Sequence, residues 1–296
     1  MTRVDLWPRI EPLLARIERP ARYVDREWGA HHDDEAGYHA VLIYPDTYEI
    51  GQANQAVAIL YGLLNAIPGV AAERAYLPWV DMSALMREED VPLFSLESCA
   101  PVRDFDLVGI TIPYELTYTN VLETLDMAGI PLRSADRSET DALVVGGGPC
   151  VYNPEPVAPF FDAILIGEGE EAISDIVAAH RAAKAEGLSR VATLLRLAQI
   201  PGVYVPSLYT VEFDDRRAFA RVVPAAGVPA MVTKRVVADF DALPAPVRDI
   251  VPFMDVVHDR FGIEVLRGCS RGCRFCQAGM VYRPVRERTP TPSCAT

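Results

Sequence analysis

The chain has 296 residues, half of them hydrophobic and 23% charged, a balance that suits one large or two ordinary globular domains and excludes a disordered or fibrous chain. Asp and Glu outnumber Lys and Arg by 41 to 28, and the net charge of −13 argues against non-specific nucleic-acid binding, which needs clustered cations along a phosphate backbone. No apolar run reaches the roughly 20 residues of a membrane helix, and the first residues lack the apolar core of a secretory leader, so the 6 cysteines point to a reducing, cytoplasmic setting without disulfides.

In chain order, MTRVDLWPRIEPLLARIERP sets Leu6, Ile10, Leu13, Leu14 and Ile17 on one side of a short helix, with Pro8 in its first turn and Pro12 kinking or shortening it. The polar stretch His31-His32-Asp33-Asp34 reads as a solvated connection rather than a chelate. Residues 38–45 form an apolar run of strand length. A helix follows, carried by Ile50, Val57, Leu60, Tyr61 and Leu64 and stopped by Pro68-Gly69. VAAERAYLP reads as a strand and VDMSALMREED as a helix capped by Asp81 or Ser83. FDLVGITIP is a buried strand, followed by a helix that ends at Gly129. DALVVGGGP is a further strand, and residues 161–187 supply a strand, a Gly-rich turn and a long helix.

Strands that are apolar throughout and alternate with helices predict an α/β fold: a doubly wound parallel sheet, Rossmann-like, over residues 38–187. Residues 1–37 form a helix and loop before it. Residues 188–258 give a helix, a strand or hairpin near 203–213, and a linker punctuated by Pro224, Pro229, Pro244, Pro246 and Pro252. A new unit begins at 259, where RFGIEVLRGC reads as a strand. Ligands of such sheets sit at the carboxyl ends of the strands. Four loops fall there, at residues 45–51, 111–115, 146–149 and 167–170. They suggest one large ligand site, although Gly-rich turns also serve plain loop geometry.

Cys269, Cys273 and Cys276 are spaced C-x3-C-x2-C in a locally basic stretch, with Gly268 and Gly272 to let the backbone curl. Three thiolates on one loop hold three irons of a 4Fe–4S cluster and leave the fourth open. A structural zinc site wants a fourth protein ligand, and Cys150, His258 and Cys294 do not stand at a familiar zinc spacing. Cys99 and Cys150 read as isolated buried or loop residues, and Cys294 as an exposed tail residue.

CSRGCRFC resembles the cluster motif of radical S-adenosylmethionine (SAM) enzymes. That resemblance implies cluster ligation by Cys269, Cys273 and Cys276, SAM chelated at the open iron with Phe275 near its adenine, and reductive cleavage to a 5′-deoxyadenosyl radical. It also implies an external electron donor such as flavodoxin or ferredoxin. Upstream, Asp46-Thr47-Tyr48-Glu49-Ile50-Gly51 resembles the D-x-H-x-x-G loop of cobalamin-binding domains, with Tyr48 in the histidine position. Thr111 stands where those domains carry a Ser or Thr, and Gly146-Gly147-Gly148 looks like their Gly-Gly turn. The stretch from RPARYVDREW to CRFCQAGMVYRPVRER is similar to a family of cobalamin-binding radical SAM proteins of unassigned substrate. Cobalamin contacts are thereby expected at Asp46, Thr47, Tyr48, Gly51, Thr111, Pro113, Tyr114, Glu115, Gly146, Gly147, Gly148, Gly167 and Glu168. Tyr48 is either a wall of the pocket or a poor cobalt ligand, which leaves the lower face of cobalt to water or to nothing. For Glu168 and Glu170, stabilisation by the helix dipole is sufficient reason in itself.

A radical-enzyme barrel takes about 200 residues or more. Only 20 residues follow Cys276, enough for one more turn or the start of a helix but for no further strand. The expectation is therefore an amino-terminal portion of a larger enzyme, cut after its cluster loop. Three readings follow: a cobalamin-dependent radical enzyme that modifies an unactivated carbon by methylation or another radical reaction, here as an inactive fragment; a cobalamin-binding module without catalysis; and a zinc-binding scaffold.

Overall fold

Apolar runs bounded by Pro or Gly become strands in the computed structural model, which describes residues 3–25, 27–243, 250–258, 260 and 262–289. β1 (Tyr38–Tyr44), β2 (Val70–Tyr76), β3 (Leu107–Thr111), β4 (Leu143–Gly147) and β5 (Ala163–Leu165) run parallel in the order β2-β1-β3-β4-β5. β6 (Val203–Tyr204) joins β5 antiparallel, so the sheet extends past the expected boundary at 187. Pro244, Pro246, Phe261 and Cys294 lie outside the described residues.

The helices are α1 (Trp7–Leu14), α2 (Tyr48–Gly51), α3 (Gln55–Asn65), α4 (Val80–Glu88), α5 (Tyr118–Ala128), α6 (Gly169–Ala185) and α7 (Arg190–Leu197). Side chains alternate along each strand, so every strand feeds two cores. Val41, Ile43, Val108, Ile110 and Val144 pack against Ile10, Leu13, Met82, Met86, Val121 and Leu125 of α1, α4 and α5. Ala40, Leu42, Leu107, Leu143, Val145 and Leu165 pack against Val57, Leu64, Ile173, Ile176 and Leu197 of α3, α6 and α7. Each large side chain so buried contributes about 1.5–3 kcal/mol. The chain winds to one face after β1 and to the other after β3, which makes the gap between these neighbouring strands the switch point of the sheet.

β2 lies at the edge of the sheet, where free backbone groups invite foreign strands. Here they are satisfied within the chain. The Asn65 amide brackets both the N–H and the C=O of Ala72, the Leu96 N–H donates to the Arg74 carbonyl, and Glu97 accepts the Arg74 N–H at 2.7 Å. Arg74, 2% exposed, also binds Glu97 and Glu27 through its side chain at 2.6 Å each.

Several elements differ from expectation. The helix read from Ile50 onward is two helices, α2 and α3, broken before Asn54, whose side chain caps α3 by accepting the Val57 N–H. Neither Asp81 nor Ser83 caps α4; Trp79 occupies that position without a side-chain bond, and Asp81 instead accepts the Glu18 and Met82 N–H groups. α1 accommodates Pro12 by staying 8 residues long. Beyond β6, β7 (Tyr209–Phe213) and β8 (Phe219–Pro224) form a separate hairpin. Among the described residues of 260–269 the expected strand is only β9 (Leu266–Arg267), and the expectation of no later strand is corrected by β10 (Arg286–Glu287), which pairs with it after α8 (Ala278–Val281).

Candidate functional site

At the carboxyl ends of the strands a cavity of about 480 Å³ opens between α3 and α6, within the usual size of small-molecule sites. Small residues create it. Gly109, Thr111, Gly146 and Gly147 form its floor and Ala56 and Gly169 thin its walls, while Leu42, Ile59, Leu60, Val145, Leu165, Ile173 and Ile176 make it apolar. A Cβ on Gly147 would meet nothing within 4 Å.

Two glycines shape the rim through positive φ. Gly148 (φ +107) follows the β4 end and lies so close to the Ile112 backbone that a Cβ would stand 2.8 Å from its oxygen. Gly167 (φ +116) pairs with Arg235, where a Cβ would stand 2.2 Å from the Arg235 oxygen. That contact brings in the linker: the Arg235 N–H donates to the Ile166 carbonyl, and the Glu168 N–H to the Arg235 carbonyl.

Lys234, Arg235 and Val236 of the linker, with Leu266, Arg267, Gly268, Tyr282 and Arg283 of the cysteine-bearing segment, close the mouth. Glu168 also lines the cavity, yet its carboxylate is engaged by the Val237 N–H at 2.6 Å, by Arg286 at 2.7 Å and by Arg267 at 3.4 Å. Burial acts to raise its pKa, but these bonds and charges outweigh it and hold the carboxyl below the usual range.

The four expected loops therefore divide. Thr111, Gly146, Gly147, Gly148, Gly167 and Glu168 line the cavity; among the described residues, Asp46, Thr47, Tyr48, Gly51, Pro113, Tyr114 and Glu115 do not. Pro113, Tyr114 and Glu115 follow β3 past the rim, and the Tyr114 hydroxyl donates to Asp46 at 3.3 Å. Tyr48 is 2% exposed, packs edge-on against Tyr76 and donates to Glu27. Glu49 is drawn the same way by Arg22 and Arg19 at 2.7 and 2.8 Å. These partners turn the loop after β1 into α2 and face it toward the amino-terminal segment. Burial first, then Glu27, pushes the Tyr48 phenol far above its ordinary pKa, so it is neutral. Gly51 packs under Tyr76, where a Cβ would come within 2.5 Å of the ring.

Cys269, Cys273 and Cys276 occupy the loop between β9 and α8, the first two exposed and the third partly covered. The Arg271 N–H donates to Cys269 Sγ at 3.4 Å. Gly268, with φ +87, starts the loop, and Phe275 is 91% exposed. Among the described residues no three His, Cys, Asp or Glu side chains are gathered into a metal-holding group, so the three sulfurs share a loop without being drawn together. The donor set fits an iron–sulfur cluster: three thiols within eight residues, with no carboxylate or imidazole among them. Cys99 and Cys150 contrast with it. Burial above all pushes their thiols up to about 12 and about 11, where neither is reactive.

A family model described as radical SAM proteins, N-terminal, matches residues 56–206. The chain belongs to that family. Membership of the radical SAM proteins implies a 4Fe–4S cluster and SAM, and the matched residues run from the start of α3 past β6, through most of the cavity lining. An uncharacterized protein of Methanocaldococcus jannaschii is 25% identical over 248 residues, 83% of this radical SAM chain. The chain spans 42% of that relative's length. Among the described residues no helix is long and apolar enough to cross a membrane.

Sequence reasoning missed Lys234, Arg235 and Tyr282 at the cavity mouth. Lys234 stands in a linker read only for its prolines, and Tyr282 gained its place through α8, a one-turn helix without a periodic signal. Of the two small residues that thin the cavity walls, Gly169 lies in the loop 167–170 expected at the site, whereas Ala56 of α3 carries no signal of its own in the sequence.

Proposed function

We propose that this chain is the cofactor-gathering portion of a cobalamin-dependent radical SAM enzyme. Cys269, Cys273 and Cys276 would hold the 4Fe–4S cluster, which when bound supplies the electron that cleaves SAM. The apolar cavity over Gly109, Gly146 and Gly147 would take the nucleotide-bearing arm of cobalamin, with Thr111 and Gly167 at its rim. One observation carries this reading: the segment that closes the cavity mouth, Leu266, Arg267 and Gly268, runs directly into Cys269. A ligand in the cavity and a group on the cysteines would therefore be neighbours. The 2-1-3-4-5 order, with its switch point beside the cavity, supports a dinucleotide-sized or flavin-sized occupant equally well on fold grounds alone. What favours a corrinoid is the sequence resemblance, of residues 46–51 and of the Gly146–Gly148 turn; of these only the glycine turn lines the cavity.

The protein's part is to bind, orient and exclude water. The apolar walls desolvate whatever enters, and the loop leaves one cluster position without a protein ligand. The reaction class proposed for the whole enzyme is radical modification of an unactivated carbon, with methyl transfer as its form. An external one-electron donor of the flavodoxin or ferredoxin kind is a further part of the proposal.

Anaerobic reconstitution with iron and sulfide, followed by cobalamin titration, tests it. The expected result is about four irons per chain, cobalamin bound with protein-dependent spectral change, and SAM cleavage under a strong reductant. Cobalamin binding without cleavage would support a binding module instead. Stoichiometric zinc without visible cluster absorbance would replace both by a zinc scaffold.

A further inference from the structure

The two strands that close the cysteine loop pair in a register that is unfavourable on its own. Arg286 stands directly opposite Arg267, and Glu287 opposite Leu266. Like charges facing each other across strands repel, and a two-residue ladder has little else to hold it. Both guanidinium groups are largely desolvated, with side chains 11% and 15% exposed, so solvent does little to relieve them.

Part of the counter-charge is local, since Glu264 binds Arg267 at 2.6 and 2.8 Å; the rest comes from the sheet domain. Glu168, the residue that follows Gly167 at the end of β5, binds Arg286 and reaches Arg267 at 3.4 Å. Its neighbour Glu170 binds Arg267 from the first turn of α6. Phe240 lies against three guanidinium groups, those of Arg267, Arg286 and Arg288, at 5.1, 5.6 and 4.8 Å from its ring centre, so the arginines crowd around one ring. Arg267 lies two residues before Cys269 in the chain, so whatever fixes Arg267 fixes the first thiol's platform.

We propose that Glu168 is a positioning residue for the cysteine loop: it neutralises Arg286, completes around the facing Arg267 the charge that Glu170 and Glu264 begin, and thereby holds the base of the loop shut against the cavity mouth. It acts through those arginines and needs no contact with cluster or substrate. The inference rests on the proposed function only where it speaks of iron. The closure of the loop is a property of the chain itself.

Glu168→Gln tests it, because the amide keeps the shape and still accepts the Val237 N–H while removing the charge. Hydrogen–deuterium exchange on the full chain should show amides of residues 265–288 exchanging at least tenfold faster, with β1 and β3 unchanged. Arg286→Met supplies the decisive arm. In the parent chain it should loosen the same segment, since it removes a bond to Glu168. In the Glu168→Gln background it should do the reverse and slow exchange toward the parent value, because it removes the repulsion. Should Glu168→Gln not accumulate folded, Arg286→Met alone carries the test through its faster exchange in 265–288. Iron per chain after reconstitution should fall by more than half in Glu168→Gln and recover in the double variant. No iron in any variant, with the exchange pattern as described, would count against the cluster and leave the positioning role supported. Unchanged exchange in Glu168→Gln, or loosening by Arg286→Met that adds in both backgrounds, would overturn the proposal.

Discussion

Six cysteines share this sequence, and their surroundings sort the five described ones. Cys99 and Cys150 are buried thiols with raised pKa, whereas Cys269, Cys273 and Cys276 share one loop. Replacing any of the three loop cysteines by Ala should therefore remove most of the iron that the reconstituted chain retains, and Cys150→Ala should retain it. Equal iron in all four variants would sink the assignment. Tyr48 allows a second expectation at this scale. Its hydroxyl satisfies Glu27 inside a network with Arg74 and Glu97, so Tyr48→Phe leaves a buried carboxylate short of a donor. A loss of about 1–3 kcal/mol in denaturant unfolding is expected, with no change in the spectrum of added cobalamin. A changed cobalt spectrum would mean that the phenol reaches the metal. The spacing of residues 46–51 was legible as a loop after a strand. The partners that bury Tyr48 and Glu49 were not, because Glu27, Arg22 and Arg19 are 20 to 30 positions away and nothing in a local pattern announces an ion pair at that range.

At the scale of elements, the end of β4 and the turn after β5 make opposite demands on glycine. Gly147 faces open space in the cavity, so Gly147→Val should leave thermal unfolding within about 1 kcal/mol of the parent, as a β-branched residue suits a strand. It should also abolish any ligand binding in the cavity, read by titration. Gly167→Ala forces a Cβ against the Arg235 backbone at positive φ, and should loosen the linker and the mouth together, detected as new proteolytic cleavage near 235. Binding that survives Gly147→Val would place the ligand elsewhere. Strands β1, β3, β4 and β5 were readable because buried parallel strands are largely apolar and Gly or Pro stops each run, whereas β2, with Glu73 and Arg74 at its centre, was marked out by Pro68-Gly69 before it and Pro78 after it. The break between α2 and α3 was hidden, since Ile50 fits the helical period of α3 yet is 38% exposed; an Asn cap outweighed the periodicity. β9 and β10 were misjudged for a related reason. Two-residue strands have no alternation to detect, and here their arginines are paired with Glu168 and Glu170 of the sheet domain and with the local Glu264.

For the whole molecule, stability should follow a half-buried histidine that joins the first strand to the long helix α6. His180 of α6 hydrogen-bonds the Tyr38 hydroxyl at the start of β1 at 2.7 Å. Burial, then Lys184, outweighs the pull of Asp106 and lowers its pKa to about 4. An unfolded chain protonates this side chain below about 6.5, so between about 6.5 and 4 the unfolded state binds more protons and stability rises with pH. The contribution is complete above the unfolded value and disappears as pH falls through that window, up to about 3 kcal/mol in all. His39, also lowered by burial and by Arg3, adds a slope of the same sign. Denaturant midpoints between pH 7 and pH 5 lie above most carboxylate titrations and should fall steadily in the parent chain. His180→Gln should lose the greater part of that fall, and His39→Gln with His180→Gln nearly all of it. A double variant that keeps the parent's slope would show that protons enter elsewhere, and that the contact between β1 and α6 does not govern how this sheet responds to acid.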